Sequence, residues 1–408
     1  MSASGTHCSR RRMCGIAALL FVLIATRAAA LDWRQPWVQP HDATAAARHS
    51  DEYAWHLFVA LNWPADTRTR TADPAARFGA DQPVVWETWL NAGNVYQDDG
   101  TDPGPWWASR GPLTPERRFE TLSRPDLQNL RHIVNGVMVP LVDPIANARR
   151  LTEIHINRAA FELIRSRELF NLEGQKRAQA GGSAISFPYG AREVKAKWRP
   201  ITEQERSRYH TMELTLADGT RRLYGLTGLH IASKDLPNWF WTTFEHVDNP
   251  TLPDNEGWQL PSRDRFACGD RHSDCNQIPA GIGLEGTVWQ YYRLRGTLTQ
   301  YTDVRGEPQR LANSELESGM QRSASCITCH SRASIAVVDG EIAHLPIFAS
   351  GDGPTDDPLK RRGFIGAPDA AWYGPPAGAV GPRFQSLDFV WSMTKAQHKV
   401  SPSGTLLE

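Results

Sequence analysis

The chain has 408 residues, 45 Lys+Arg against 45 Asp+Glu, and 40% hydrophobic residues. This apolar fraction can bury a large core and excludes an intrinsically disordered chain. The balanced charge argues against a generic nucleic-acid binder, which carries a basic excess, so no nucleic-acid partner is expected.

The first 30 residues have the pattern of a secretory signal peptide. Arg10, Arg11 and Arg12 precede an apolar run over residues 13–25, and small residues end at Ala30. An uncleaved membrane anchor is the alternative, but the run is short for crossing the hydrocarbon core. We therefore predict cleavage near Ala30 and export to the periplasm. The mature chain then has 41 Lys+Arg against 45 Asp+Glu, a net charge of −4, and no expected membrane span.

Residues 31–310 are predicted to form a Trp-rich α+β region whose role the sequence does not specify. Its predicted elements, in chain order, are a helix over 54–61, a strand over 151–156, a helix capped by Asn157, and a hairpin of strands 212–216 and 222–231. These strands predict an antiparallel sheet near residues 190–232.

Two cysteines of this region enclose a short polar loop. Cys268 and Cys275 are separated by six residues. In an oxidising compartment such a pair favours a disulfide.

The most specific motif is Cys326-Ile327-Thr328-Cys329-His330, the C-x-x-C-H signature of c-type haem attachment. Two thiols one helical turn apart reach the two vinyl groups on one porphyrin edge. The adjacent imidazole then lies under the iron as its proximal ligand. The motif predicts one covalent haem c, with Cys326 and Cys329 as its attachment points and His330 as the iron ligand.

Two other interpretations of the motif are a redox-active dithiol and half of a zinc site. A thioredoxin-like dithiol expects a β-α-β context, whereas a polar helix is predicted before Cys326. A zinc site needs a second pair of ligands at matching spacing, which Cys268 and Cys275 do not have.

The last part of the chain, residues 311–408, is predicted to be a haem domain. Ser314 and Glu317 form a capping-box pattern for a helix leading into Cys326, residues 345–383 are rich in Gly, Pro and Asp, and residues 387–394 have helical spacing. This order resembles the cytochrome c fold. The resemblance implies an α+β protein in which a sheet-containing N-terminal region precedes a mainly α-helical, cytochrome c-like C-terminal domain.

The upstream region is similar to that of large single-haem bacterial periplasmic cytochromes, on the segments Asn62-Trp63-Pro64 and 244–249. This resemblance implies no settled activity. The leading hypothesis is a periplasmic electron-transfer protein that works with a redox partner protein.

The alternative is a haem c oxidoreductase, peroxidase-like or oxidising a small molecule, whose open distal site is shaped by the N-terminal region. A third option is a module that binds nitric oxide or carbon monoxide. Whether the protein is an enzyme stays open at this point, and no catalytic residue is assigned.

The sixth iron ligand separates these functions, because a strong ligand favours a carrier and a vacant position allows small molecules to bind. Met393, His344 and His246 are the candidates. Met393 follows His330 by 63 residues, as in small c-type cytochromes, but falls inside a predicted helix. His230 is predicted to be simply hydrogen-bonded, and the Pro346 carbonyl is predicted to accept from His330.

Overall fold

A computed structural model describes residues 1, 31–119, 151–216, 218–251, 260–270, 273–317, 321, 324–338, 340–345, 366–368, 370–373 and 384–400. The predicted signal peptide after residue 1, Pro346 and most of the predicted 345–383 loop lie outside these ranges. Within them, no helix combines the length and apolar character that a membrane crossing requires.

The helices of the described chain are short, and the longest spans Ser50–Leu61. They are α1 (Ala43–Arg48), α2 (Ser50–Leu61), α3 (Ala92–Val95), α4 (Pro115–Arg118), α5 (Arg158–Ser166), α6 (Leu172–Ala180), α7 (Arg265–Cys268) and α8 (Cys326–Ser331).

The strands form one large sheet and two small ones. They are β1 (Ala65–Asp66), β2 (Thr71–Ala72), β3 (Leu90–Asn91), β4 (Leu151–Ile156), β5 (Arg192–Pro200), β6 (Thr211–Thr215), β7 (Arg221–Ser233), β8 (Phe240–His246), β9 (Tyr292–Leu298), β10 (Ser334–Val338), β11 (Glu341–Ala343) and β12 (Gln385–Ser386). The seven-stranded sheet has the order β3-β4-β5-β7-β8-β9, with β6 also paired to β7, and every pairing is antiparallel.

Alternation along these strands gives the large sheet two different faces, because successive side chains point to opposite sides. One face is apolar and carries Val194, Ala196, Leu229, Ile231 and Phe244. The other is largely polar and carries Glu193, Lys195, His230, Trp241, Thr243 and Glu245.

Helix α2 covers the apolar face. The Phe58 and Phe244 rings stack with their centroids 4.2 Å apart, and Trp55 meets Phe244 edge-on at 5.0 Å. Tyr53 packs on Phe240 in the same edge-on way. Since all of these rings are buried, they form the centre of the main apolar core.

The C-terminal segments cover the polar face. The Asn313 amide donates to the Thr243 hydroxyl at 2.9 Å, and the Ser392 hydroxyl donates to the Glu193 carboxylate. The C-x-x-C-H segment reaches the same face, since the His330 ring lies against Trp241. The upstream sheet is therefore the surface against which the C-x-x-C-H motif packs.

Several local predictions are confirmed. The strand over residues 151–156 and the hairpin of β6 and β7 form where expected. The Asn157 side chain accepts from the Ala160 amide at 3.0 Å and so caps α5. These elements follow from short-range patterns alone.

The fold class predicted for the C-terminal domain, residues 311–408, is wrong. In the described part of residues 311–400, the only α-helix is the six-residue α8, accompanied by the strands β10, β11 and β12. The mainly helical, cytochrome c-like domain is therefore not present there, and the molecule is rich in sheet.

Tertiary contacts explain both missing helices. The Ser314 amide and hydroxyl bond to the Glu245 carboxylate on β8, so Ser314 does not cap a helix leading to Cys326. In the predicted closing helix, Asp388 and Phe389 have φ angles of 49° and 72°, which a right-handed helix cannot contain. Only a 3-10 helix over Trp391–Lys395 remains.

The predicted disulfide is confirmed. Cys268 and Cys275 are bonded, with their Cα atoms 5.9 Å apart. A loop of this length stabilises the fold by about 2–3 kcal/mol on the chain-entropy estimate.

The domain boundary predicted after residue 310 stays a prediction. The main apolar cluster contains Leu229 and Trp241 from the upstream region together with Ile327 and Met393 from the C-terminal part. The described residues on the two sides thus share one core.

Candidate haem-attachment site

The motif lies on the helical turn α8, which begins at Cys326. A helical turn brings both thiols to one side of the chain, as attachment to one porphyrin edge requires. Cys326 and Cys329 are free thiols and both are half-buried. The Cys326 thiol lies 3.5 Å from the Leu311 carbonyl oxygen.

The His330 imidazole is held in a defined tautomer. Its Nδ1 lies 2.8 Å from the Phe389 carbonyl oxygen. Since a carbonyl only accepts, Nδ1 carries the proton and Nε2 has the lone pair. Burial lowers the pKa of His330 to about 4, so the ring is neutral at pH 7. A neutral imidazole with Nε2 as its basic atom is the form that binds iron.

An unusual backbone turn presents that carbonyl. Asp388 and Phe389 both have positive φ angles, 49° and 72°. Non-glycine residues in this region cost about 1–3 kcal/mol each and persist only where the surroundings hold them. The Asp388 carboxylate provides the anchor, since one oxygen accepts from Lys234 Nζ and the other from the Phe187 amide, both at 2.7 Å.

The acceptor for His330 therefore differs from the sequence prediction. Pro346 lies outside the described residues, and the Phe389 carbonyl takes the role assigned to it. The same segment also holds the motif's backbone, because the Trp391 indole N–H donates to the Cys329 carbonyl at 2.8 Å.

The upstream sheet forms a wall beside the motif. The Trp241 and His330 ring centroids are 4.5 Å apart. On the neighbouring strand β7, His230 Nε2 lies 3.0 Å from a Glu317 carboxylate oxygen, and both side chains are largely buried. Lys195 and His230 also lower the pKa of the His330 imidazole, after the larger effect of burial.

The environment of the thiols disfavours the redox-dithiol interpretation. Burial raises the pKa of Cys329 to about 11 and raises the pKa of Cys326 well above its usual value. Reactive dithiols have a lowered thiol pKa, because the thiolate is the nucleophile.

The zinc interpretation lacks its second pair of ligands. Cys268 and Cys275 are joined in a disulfide and cannot bind a metal as thiolates. In the described ranges, no group of three or more His, Cys, Asp or Glu side chains is arranged to hold a metal ion.

Of the candidate sixth ligands, Met393 is fully buried in the main core. It belongs to the segment that supports His330 from behind, through the Phe389 carbonyl and the Trp391 indole. An iron would bind at Nε2 of His330, on the side of the ring away from the Phe389 carbonyl. The arrangement favours ordinary core packing for Met393.

His246 has both ring nitrogens engaged. Its Nε2 lies 3.0 Å from the Arg208 carbonyl, and its Nδ1 accepts from the Asp248 amide at 3.2 Å. The neighbouring Glu245 points to the opposite face of the sheet and bonds to Ser314. His246 and Glu245 thus serve the fold and do not form a distal pair.

His344 is half-buried at the end of β11, and its Nδ1 lies 2.7 Å from the Ser334 carbonyl oxygen. This contact fixes the tautomer in the same way as in His330, with the lone pair on Nε2. His344 stays a candidate ligand.

The donor set fits a covalently attached haem. Two free thiols lie one helical turn apart, and the adjacent imidazole is neutral with its Nδ1 proton already bonded. No family model, curated protein or solved structure matches this chain.

Proposed function

We propose that this protein is a periplasmic single-haem c-type cytochrome that takes part in electron transfer. Cys326 and Cys329 would bind the haem covalently, and His330 would bind its iron. The hydrogen bond between His330 Nδ1 and the Phe389 carbonyl carries the proposal, because it prepares the imidazole of a C-x-x-C-H motif as an iron ligand. When bound, the haem iron supplies a one-electron redox couple.

The residues of the chain would hold and shield this group. The two thiols tether it, and the Phe389 carbonyl keeps the proton on Nδ1 of His330. Trp241 covers one side of the imidazole with apolar surface. The polar face of the large sheet forms the neighbouring wall. The upstream region would therefore help to seat the haem. A small cytochrome seats its haem without such a region.

Localisation and partners follow from the same proposal. The signal-peptide pattern and the Cys268–Cys275 disulfide support an oxidising compartment outside the cytoplasm. A single one-electron centre needs a donor and an acceptor, so a periplasmic redox protein is the expected partner.

The test is to export the chain from a host that attaches haem c and to record mass and absorption spectra. We expect a mass increase of one haem on the peptide containing Cys326 and Cys329, and reversible reduction of the iron. A low-spin oxidised spectrum that does not change with cyanide is the expected result for a carrier. Exported protein without added mass would contradict the proposal.

One observation favours the alternative of a haem c oxidoreductase with a small-molecule substrate. The buried His230–Glu317 pair lies beside the motif, and a carboxylate-oriented imidazole is a typical proton donor and acceptor. In that case the oxidised spectrum is high-spin and shifts when cyanide or peroxide is added.

The substitution His230→Leu then distinguishes the two functions. For an oxidoreductase, we expect peroxide turnover to fall by roughly 10²–10⁴-fold, because a positioned proton-transfer group is lost. For a carrier, electron-transfer rates should change little. His210→Leu is the matched control, since His210 forms a similarly buried pair with Glu87 at 2.8 Å. An equal loss of peroxide turnover in both variants would argue against a role for His230.

A further inference from the structure

A buried ion pair connects the upstream sheet to the carbonyl that holds His330. Lys234 Nζ lies 2.7 Å from an Asp388 oxygen, and each side chain is only 9% exposed. Lys234 directly follows β7, whereas Asp388 belongs to the C-terminal segment. The pair therefore spans the two predicted regions.

Both oxygens of the Asp388 carboxylate accept a hydrogen bond. One oxygen accepts from Lys234, and the other accepts from the Phe187 amide at 2.7 Å. The Lys234 ammonium also donates to the Pro237 carbonyl at 2.9 Å, which fixes its position. The carboxylate is thus held from two separate segments of the upstream region.

This anchoring acts on the adjacent residue. Asp388 and Phe389 both have left-handed φ angles, and the Phe389 carbonyl is oriented by that conformation toward His330 Nδ1. Without the anchor, relaxation to ordinary φ values would turn the carbonyl away. The Trp241 ring, 5.9 Å from the Phe389 ring, fills the space beside it.

We propose that the Lys234–Asp388 pair is a positioning element that sets the strength of the His330 Nδ1–H hydrogen bond and thereby lowers the reduction potential of the haem iron. The inference rests on the proposed function. A strong acceptor at Nδ1 makes the imidazole a better electron donor through Nε2, and electron donation favours the oxidised iron. The potential should rise when this bond is weakened.

Charge effects and positioning predict different results. If the two residues act only as charges near the iron, Lys234→Met lowers the potential and Asp388→Asn raises it, because removing a positive charge favours the oxidised iron. The double variant Lys234→Met/Asp388→Asn preserves the net charge. Under the positioning proposal, its potential rises.

The experiment is a spectroelectrochemical titration of the haem-bearing double variant. A second readout is hydrogen exchange of the His330 Nδ1 proton, followed by NMR in the reduced protein. We expect a higher potential and faster exchange than in the unmodified protein. The variant Lys234→Arg keeps the ion pair. Its reduction potential and exchange rate should therefore be close to those of the unmodified protein.

The matched control is Arg118→Met/Glu153→Gln, which removes another ion pair of a buried carboxylate at the same net charge and away from the motif. It should leave the potential and the exchange rate unchanged. An unchanged potential and exchange rate in the Lys234/Asp388 double variant would overturn the proposal, as would an equal shift in the control.

Failure of the inference is distinguishable from failure of the proposed function. If the unmodified protein carries no haem, the proposed function fails. If it carries haem and the double variant does not accumulate, Lys234→Met decides by the exchange readout, because it breaks the ion pair while the Asp388 carboxylate still accepts from the Phe187 amide. Unaltered exchange in that variant would refute the positioning role.

Discussion

Replacing both Cys326 and Cys329 by serine is expected to give an exported protein without any covalent haem. Both thioether links require a thiol, and serine cannot form them. The single variant Cys329→Ser should retain at most one link. Denaturing gel electrophoresis with haem staining, together with intact-protein mass spectrometry, measures this loss directly.

The chain offers a matched cysteine control for this experiment. Cys268→Ser/Cys275→Ser removes the disulfide and should leave haem attachment intact. It should lower the free energy of unfolding by about 2–3 kcal/mol. Equal haem loss in both double variants would mean that attachment depends on folding and not on the motif's thiols.

Removing Arg118 is expected to cause a large loss of stability. Arg118 Nε lies 2.8 Å from the Glu153 carboxylate, which is fully buried on the apolar face of the sheet. Arg118→Met removes one partner of this buried charge and leaves His155 Nε2 at 3.1 Å and the Trp198 indole, so the free energy of unfolding at pH 7 should fall by about 1.5–3 kcal/mol. Chemical denaturation followed by Trp fluorescence measures the change.

The same carboxylate predicts how stability depends on pH. Burial tends to raise the pKa of Glu153, but His155 and Arg118 outweigh it and lower the pKa to about 2, below the usual 4.5. A lowered pKa stabilises the folded protein above pH 4.5, and this contribution is lost as the pH falls toward 2. The difference in the free energy of unfolding between the unmodified protein and Arg118→Met should become smaller as the pH falls from 4.5 toward 2.

The double variant Arg118→Met/Glu153→Gln is the control. It leaves no unpaired buried charge, and the Gln oxygen can still accept from the Trp198 indole, which now bonds to Glu153 at 2.9 Å. It should recover much of the stability that Arg118→Met loses, and its free energy of unfolding should depend less on pH. A double variant as unstable as Arg118→Met would show that the charge is not the cause.

The sequence alone predicted those features whose interacting residues lie close together in the chain. Asn157 caps its own helix, the 211–233 hairpin follows alternation and a tight turn, and Cys268 and Cys275 are close in the chain. In each case the partners are separated by few residues. The attachment motif is likewise contained in five consecutive positions.

The parts that sequence reasoning missed depend on distant residues. Ser314 was expected to cap a helix, but Glu245 on β8 binds it instead. The local signal for the left-handed turn is weak, because Asp is enriched at positive φ but Phe is not, and the contacts that hold the turn come from Lys234 and Phe187.

His230 illustrates the same limit at the site. It is hydrogen-bonded as expected, but its partner Glu317 lies 87 residues away and both are beside the motif. Only the pairing of β5, β7 and β8 reveals which polar side chains face His330.

The Lys234–Asp388 contact also has a consequence for the order of folding. Its two residues are 154 positions apart, and contacts of such long range form late because of the entropy of loop closure. If the chain is exported as proposed, the sheet would emerge before the segment that contains the thiols. Attachment enzymes would therefore meet an undocked C-terminal tail, and docking of that tail against a preformed sheet would be the last step of maturation.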